Sequence, residues 1–368
     1  HLALELDNGT LGAAPQLLSS KHQHHSGEIR AYISLKYASI KDEYNDLLLT
    51  FKGGYSVEFR AYNDGVAYRF VTNKPGNVNV LNEDFSVNFQ QDYLLHLQQT
   101  GSFKTAYEEP YTHINAGEWK NTDKRSTLPV LIDTKKNIKV LVSESDLRDY
   151  PAMFLQGNNN SGATGAFPKV PLAFEPDGDR SMKITQTAPY IAKTAGSRSF
   201  PWRYFVIARE DKDLLENTMT LRLAGKSEIA DPSWIKPGKA SWEWWNGATP
   251  YGPDVNFVAG CNVDTYKYFI DFAAKYGIEY IVMDEGWALS TRDPYTPNPN
   301  VDLKELIRYG EGKNVHIILW LTWLTVHENM DLFKTFAEWG VKGVKIDFMD
   351  RSDQWMVNYY EDVIKEAA

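Results

Sequence analysis

Between residues 239 and 367 a strand pattern and a helix pattern alternate four times, and this narrows the available folds more than any other feature. The strand-like runs are 239–245, 279–285, 315–321 and 343–349. The helix-like runs are 263–276, 301–312, 328–339 and 352–367. Tyr266, Phe269, Ile270 and Ala273 share one stripe of the first helix, and Leu332, Phe333, Phe336 and Trp339 share one stripe of the third. Repeats of about 30–40 residues with this alternation build a parallel α/β sheet. Four units do not close an eight-stranded barrel. The segment is therefore a small open sheet or the front half of a (β/α)8 TIM-type barrel. The pattern still runs as helix at Ala368, and the second reading is the expectation.

Upstream, the period is two. Strands are expected at 29–40, 46–52, 55–59, 78–89, 93–99, 128–133, 138–143, 151–156, 181–187 and 200–208. Asn63-Asp64-Gly65 between two alternating runs signals a hairpin whose turn uses positive φ angles. Many short strands separated by turn signals point to an antiparallel sandwich. Asn158 to Gly165 reads as a loop, and 213–223 as a helix. Two prolines and a glycine within 231–238 mark a boundary. The expected organisation is a β-sandwich over 1–225, a linker over 226–238, and the first half of the barrel over 239–368.

Net charge is −9 and no basic stripe stands out, which argues against a nucleic-acid partner. No apolar run approaches the roughly 18 residues of a membrane span. The first residues do not resemble a signal peptide, and a mature exported chain would look the same. One cysteine, Cys261, allows neither an internal disulfide nor a Cys-rich metal site. Such usage suits a bacterial periplasm and a cytoplasm equally. His22, His24 and His25 are expected in a solvated polar loop. Nine of the 11 tryptophans follow residue 233, which concentrates flat faces with a polar edge in the second half.

In parallel α/β folds reactive groups gather at the C-terminal ends of strands. Here the first end carries Trp242 and Glu243, the second Asp284, Glu285 and Trp287, and the third Trp320 and Trp323. The fourth carries Lys345, Asp347, Asp350 and Arg351. A fold alone does not require carboxylates and indoles at four ends together. Carboxylates bind hydroxyls and indoles carry the apolar face of a ring, so the combination suits a sugar. Asp347 is the candidate nucleophile, and Lys345 on the same strand face holds it ionised. Trp242, Asp284, Glu285, Trp287, Trp320, Lys345 and Arg351 are the candidate substrate-binding residues. A buried Lys345–Asp347 pair serving structure alone is the competing reading.

Lys345-Ile346-Asp347 with Asp284-Glu285-Gly286-Trp287 resembles the pattern of retaining α-galactosidases and their relatives. The chain from about residue 29 onward resembles glycoside hydrolase family 97. Residues 59–67 (FRAYNDGVA), 143–147 (SESDL) and 343–354 (GVKIDFMDRSDQ) carry the match. The resemblance implies a β-super-sandwich followed by a (β/α)8 barrel and a small C-terminal β-domain. It implies Asp347 as the nucleophile of the retaining branch, because the inverting α-glucosidases lack an acid there. It also implies a calcium ion with Glu144 among its ligands. The acid/base glutamate and other calcium ligands of the family are expected after Ala368.

The resulting expectation is a retaining exo-α-glycosidase, foremost an α-galactosidase, acting on oligosaccharides with a terminal α-linked hexose. A periplasmic or otherwise exported bacterial location goes with it. An inverting α-glucosidase of the same family and a non-catalytic carbohydrate-binding protein are the alternatives. Dispensability of Asp347 would favour the first alternative, and lack of any acid/base partner the second.

Overall fold

A 24-residue strand, Gly65–Asn88, is the spine of the N-terminal half in the computed structural model, which describes residues 2–33, 35–122 and 124–368. It pairs antiparallel with Tyr55–Tyr62, Trp202–Ala208, Ala192–Ser199, Leu2–Leu6 and Gly162–Ala166. Its length lets one strand serve both layers of the β-sandwich. Leu4, Val80, Phe85, Leu95, Leu97, Val130 and Val142 are buried in the core that these strands enclose. Period-two alternation explains part of the burial: Tyr55 and Val57 point inward from Tyr55–Tyr62, and Leu95 and Leu97 from Leu94–Thr100.

Several expectations change here. The hairpin at Asn63-Asp64 forms, with Tyr62 opposite Gly65, but no residue of its turn has a positive φ. Gly65 is needed for another reason: a Cβ there would collide with the Phe205 carbonyl oxygen and the Met219 side chain. His22, His24 and His25 are not in a loop. They lie exposed on Leu17–Ile29, which pairs with Ile40–Phe51, and His25 stacks on Tyr44 at 4.8 Å. That strand is exposed almost throughout, so no apolar period betrays it. Of the strand expected over 29–40, residues 30–33 and 35–39 are not strand, and residue 34 lies outside the described residues. The loop expected over 158–165 becomes strand from Gly162. The helix expected over 213–223 splits into Asp211–Leu215 and Met219–Leu223. Asn217 causes the break, its side-chain oxygen accepting the Met219 N–H at 2.8 Å.

In the second half, strands β1 (Ala240–Trp242), β2 (Tyr280–Met283), β3 (His316–Thr322) and β4 (Gly343–Asp347) form a parallel sheet in sequential order. The helices are α1 (Val263–Tyr276), α2 (Leu303–Glu311), α3 (Trp323–Glu328), α4 (Leu332–Trp339) and α5 (Gln354–Ala367). Helix α1 starts on the Asn262 side chain, which accepts the Thr265 N–H, and stops at Gly277 with φ +65°. It buries Tyr266, Phe269, Ile270 and Ala273, the stripe read from sequence. The helix expected over 328–339 forms from Leu332, and a separate short helix capped by Thr322 through the Thr325 N–H precedes it. A hairpin of Ala288–Ser290 with Asp293–Pro297, between β2 and α2, gave no recognised signal.

The chain divides into two compact units. The first comprises residues 1–173, 185–232 and 350–361, and the second 174–184, 233–349 and 362–368. The main change falls at Pro232 and Ser233, and each unit also contains a segment from the other half of the sequence. The segment held in the second unit lies in a hairpin of Pro171–Asp177 with Ser181–Thr187.

Candidate active site

Strand register brings the candidate residues together. Met283 pairs with Leu319 and Leu319 with Val344, while Trp320 pairs with Lys345 and Thr322 with Asp347. Paired residues of a parallel sheet point to the same face, and so do residues two apart. Asp284, Trp320, Lys345 and Asp347 therefore share a face, and so does Trp242, which pairs with Val282.

Asp347 sits at the end of β4 with three donors. The Trp320 indole Nε1–H and the Lys345 ammonium each donate to Oδ2 at 3.0 Å, and the Phe348 N–H donates to Oδ1 at 2.8 Å. Burial works to raise the carboxyl pKa. The indole, ammonium and amide outweigh it and hold Asp347 below the ordinary aspartate range. Phe348 has φ +66°, a backbone region that a bulky side chain seldom adopts.

Lys345 also reaches Asp284 Oδ2 at 3.5 Å, and its ammonium lies 4.0 Å from the centre of the Trp242 ring. Asp284 is buried and accepts the Trp242 indole N–H at 2.6 Å and the Glu285 N–H at 2.8 Å. Behind it stands Glu243, a residue given no role from sequence. Its Oε1 accepts the Asp284 N–H at 2.8 Å and the Tyr266 hydroxyl at 2.9 Å. Its Oε2 is buried with no hydrogen-bond partner among the described residues, and burial pushes its pKa up. Its place at a strand end was the only sequence signal for it.

Three candidates stand elsewhere. Trp287 is not a sugar platform: it is 1% exposed, donates its indole N–H to the Trp320 carbonyl at 2.8 Å and meets Phe336 edge-on. It fixes β3 from behind. Arg351 is buried in the first unit, where Nε and Nη2 donate to Asp353 at 2.8 and 3.1 Å. Glu285 points away from the shared face and accepts Arg180 Nη2 at 2.8 Å. Arg180 was not singled out from sequence, lying 105 residues before its partner. Trp244 and Trp245 extend Trp242 into an exposed three-indole cluster with centroids 5.0–5.5 Å apart.

Glu144 lies in the first unit, on Lys139–Ser145. Its Oε1 accepts the Met153 N–H at 3.0 Å and its Oε2 pairs with Arg203, which is itself buried and bound to Glu83 at 2.7–2.8 Å. A guanidinium against a carboxylate occupies the place of a cation. The described residues contain no group of three His, Cys, Asp or Glu arranged to hold a metal ion. Calcium needs six or more oxygens, and Glu144 is the one ligand expected within these residues, so no step below passes through that ion.

The cluster on the second unit can keep one carboxylate ionised and aimed from a strand end, beside a lysine, a second carboxylate and an indole. That arrangement suits attack on an electrophilic carbon of a polyhydroxylated ring.

Residues 1–225 match the description glycosyl-hydrolase 97 N-terminal, and residues 244–368 match glycoside hydrolase 97. The chain is 36% identical to a retaining alpha-galactosidase of Bacteroides thetaiotaomicron, over 97% of the chain and 56% of that protein. It is 28% identical to a probable retaining alpha-galactosidase of Streptomyces bingchenggensis, over 93% of the chain and 52% of that protein. It thus spans about half the length of these curated relatives. A glycoside hydrolase family 97 enzyme from Pseudoalteromonas sp. strain K8, in complex with acarbose, shares the fold with a TM-score of 0.83 at 21% identity. That match covers 100% of this chain and 59% of the other.

Proposed function

The chain belongs to glycoside hydrolase family 97, and from that premise we propose that the protein is a retaining exo-α-galactosidase with Asp347 as nucleophile. The observation that carries the reading is the carboxylate of Asp347, held ionised by Trp320, Lys345 and the Phe348 amide at the end of a parallel strand. The likeness to the retaining relatives supports it. The four βα units are then the first four of a (β/α)8 barrel.

In the proposed reaction Asp347 Oδ attacks the anomeric carbon of a terminal α-galactosyl group. The C–O bond to the leaving group breaks, and a β-galactosyl ester forms on Asp347. A carboxylic acid from sequence outside these 368 residues protonates the leaving oxygen. The resulting carboxylate deprotonates a water, which attacks the same carbon and restores Asp347. Lys345 and Asp284 hold hydroxyls of the sugar, and Trp242 lies against its apolar face. An exported, periplasmic setting completes the proposal, and cell fractionation tests it.

Asp347→Ala in the full-length protein tests the central assignment. Turnover of an aryl α-galactoside should disappear, and added azide should return activity as β-galactosyl azide. Undiminished turnover in the variant refutes the assignment. Proton NMR of the first-formed anomer should show α-galactose, and β-galactose would favour inversion.

A further inference from the structure

The hairpin tip at Asp179-Arg180 is held at three points within the second unit. Thr291 donates its hydroxyl to Asp179 Oδ2 at 2.6 Å. Arg180 Nη2 donates to Glu285 at 2.8 Å, and its guanidinium carbon lies 5.3 Å from the centre of the Phe348 ring. Arg180 and Glu285 are both more than a third exposed. An ion pair so open to water adds little to stability, so its value lies in what it positions.

Phe348 is the residue that needs positioning. Its N–H donates to the Asp347 carboxylate, and its own φ of +66° is one that a bulky side chain seldom holds. A strained conformation persists only where its surroundings over-determine it. Trp320 meets the ring edge-on, with centroids 6.1 Å apart, and Arg180 also lies against it. Trp320 is also the indole that donates to Asp347. The ring of Phe348 thus touches both the guanidinium and the nucleophile's own hydrogen-bond partner.

We infer that Arg180, carried on a hairpin from the N-terminal half of the sequence, is a positioning residue that sets Asp347 for attack by clamping Phe348 against Trp320. The inference rests on the reading of Asp347 as nucleophile. Glu285 orients the guanidinium, and the Asp179–Thr291 bond fixes the tip. Glu285 accordingly acts through Arg180 and not as a direct ligand of the sugar.

The test is steady-state kinetics of the full-length protein on an aryl α-galactoside, with Arg180→Ala, Arg180→Lys, Phe348→Leu and the Arg180→Ala/Phe348→Leu double variant. Misplacement of a reacting group by an ångström costs up to about a hundredfold in rate. Arg180→Ala should lower kcat and kcat/KM together by roughly ten- to a hundredfold, as loss of a transition-state interaction does, with KM nearly unchanged. Arg180→Lys should recover part of the loss, since the ammonium keeps the charge but not the planar stack. The double variant should be no slower than the slower single one, because both substitutions release the same ring. A wild-type kcat in Arg180→Ala, a change in KM alone, or single effects that simply multiply overturns the inference. Activity in Asp347→Ala instead refutes the functional reading beneath it. An inactive Asp347→Ala beside a fully active Arg180→Ala refutes only the role of Arg180.

Discussion

Replacing Lys345 with methionine keeps the length of the side chain and removes its charge. The ammonium stands 3.0 Å from Asp347 and 3.5 Å from Asp284, so the substitution leaves two acidic side chains facing a position without a cation. Lys345 and Asp347 are both about a third exposed. Solvent screening at a water-like dielectric is then the appropriate limit. In that limit the Asp347 attraction is worth about 1.4 kcal/mol and the Asp284 attraction about 1.2 kcal/mol. The sign for activity follows from Asp347. Its depressed pKa keeps it ionised toward lower pH, so loss of a group that depresses it moves the acid limb of kcat/KM toward neutrality. On the plateau the lost hydrogen bond to a sugar hydroxyl costs roughly ten- to a hundredfold in kcat/KM. On the acid side a further factor of about ten appears, because 1.4 kcal/mol is tenfold in the ionised fraction. The assay is kcat/KM from pH 4 to 8 on an aryl α-galactoside with the full-length protein. An acid limb that stays in place, or moves to lower pH, refutes the claim that Lys345 holds Asp347 ionised.

Two further expectations concern residues behind the site. Trp287→Ala removes a fully buried indole and should lower stability by about 3–5 kcal/mol, which denaturant unfolding measures; a loss below about 1 kcal/mol would contradict its placement in the core. Glu243 has a pKa raised by burial, so its folded form holds a proton that the unfolded chain releases. Stability attributable to it falls as pH rises from its unfolded pKa toward its folded one. Glu243→Gln should therefore gain on the wild type across that interval in thermal unfolding, and parallel curves would refute the argument.

Elements with one apolar face were legible in the sequence. Val263–Tyr276 carries a plain apolar stripe, and the helix has the bounds expected for it, with Asn262 and Gly277 closing its two ends. The strand ends were legible for the same reason: a period of two placed Lys345 and Asp347 on one face, and the structure joins them at 3.0 Å. The strand bearing His22, His24 and His25 was not legible, because exposure on both faces erases the apolar period. Side-chain identity also misled at Trp287. An indole next to a carboxylate at a strand end reads as a platform, and only packing shows that it points into the core. Arg180 escaped because a contact spanning 105 residues has no local signature. Glu243 escaped because its importance lies in one backbone N–H that it accepts.

The two exchanged segments bear on how such a chain can be made. Each compact unit includes a stretch encoded in the other half, residues 174–184 in one direction and 350–361 in the other. A ribosome delivers the first unit's last piece only after residue 361. The hairpin tip, synthesised early, waits for its partners Glu285, Thr291 and Phe348. Cutting the gene at 232/233 would yield two products that each lack a part, and the one holding Asp347 would lack Arg180.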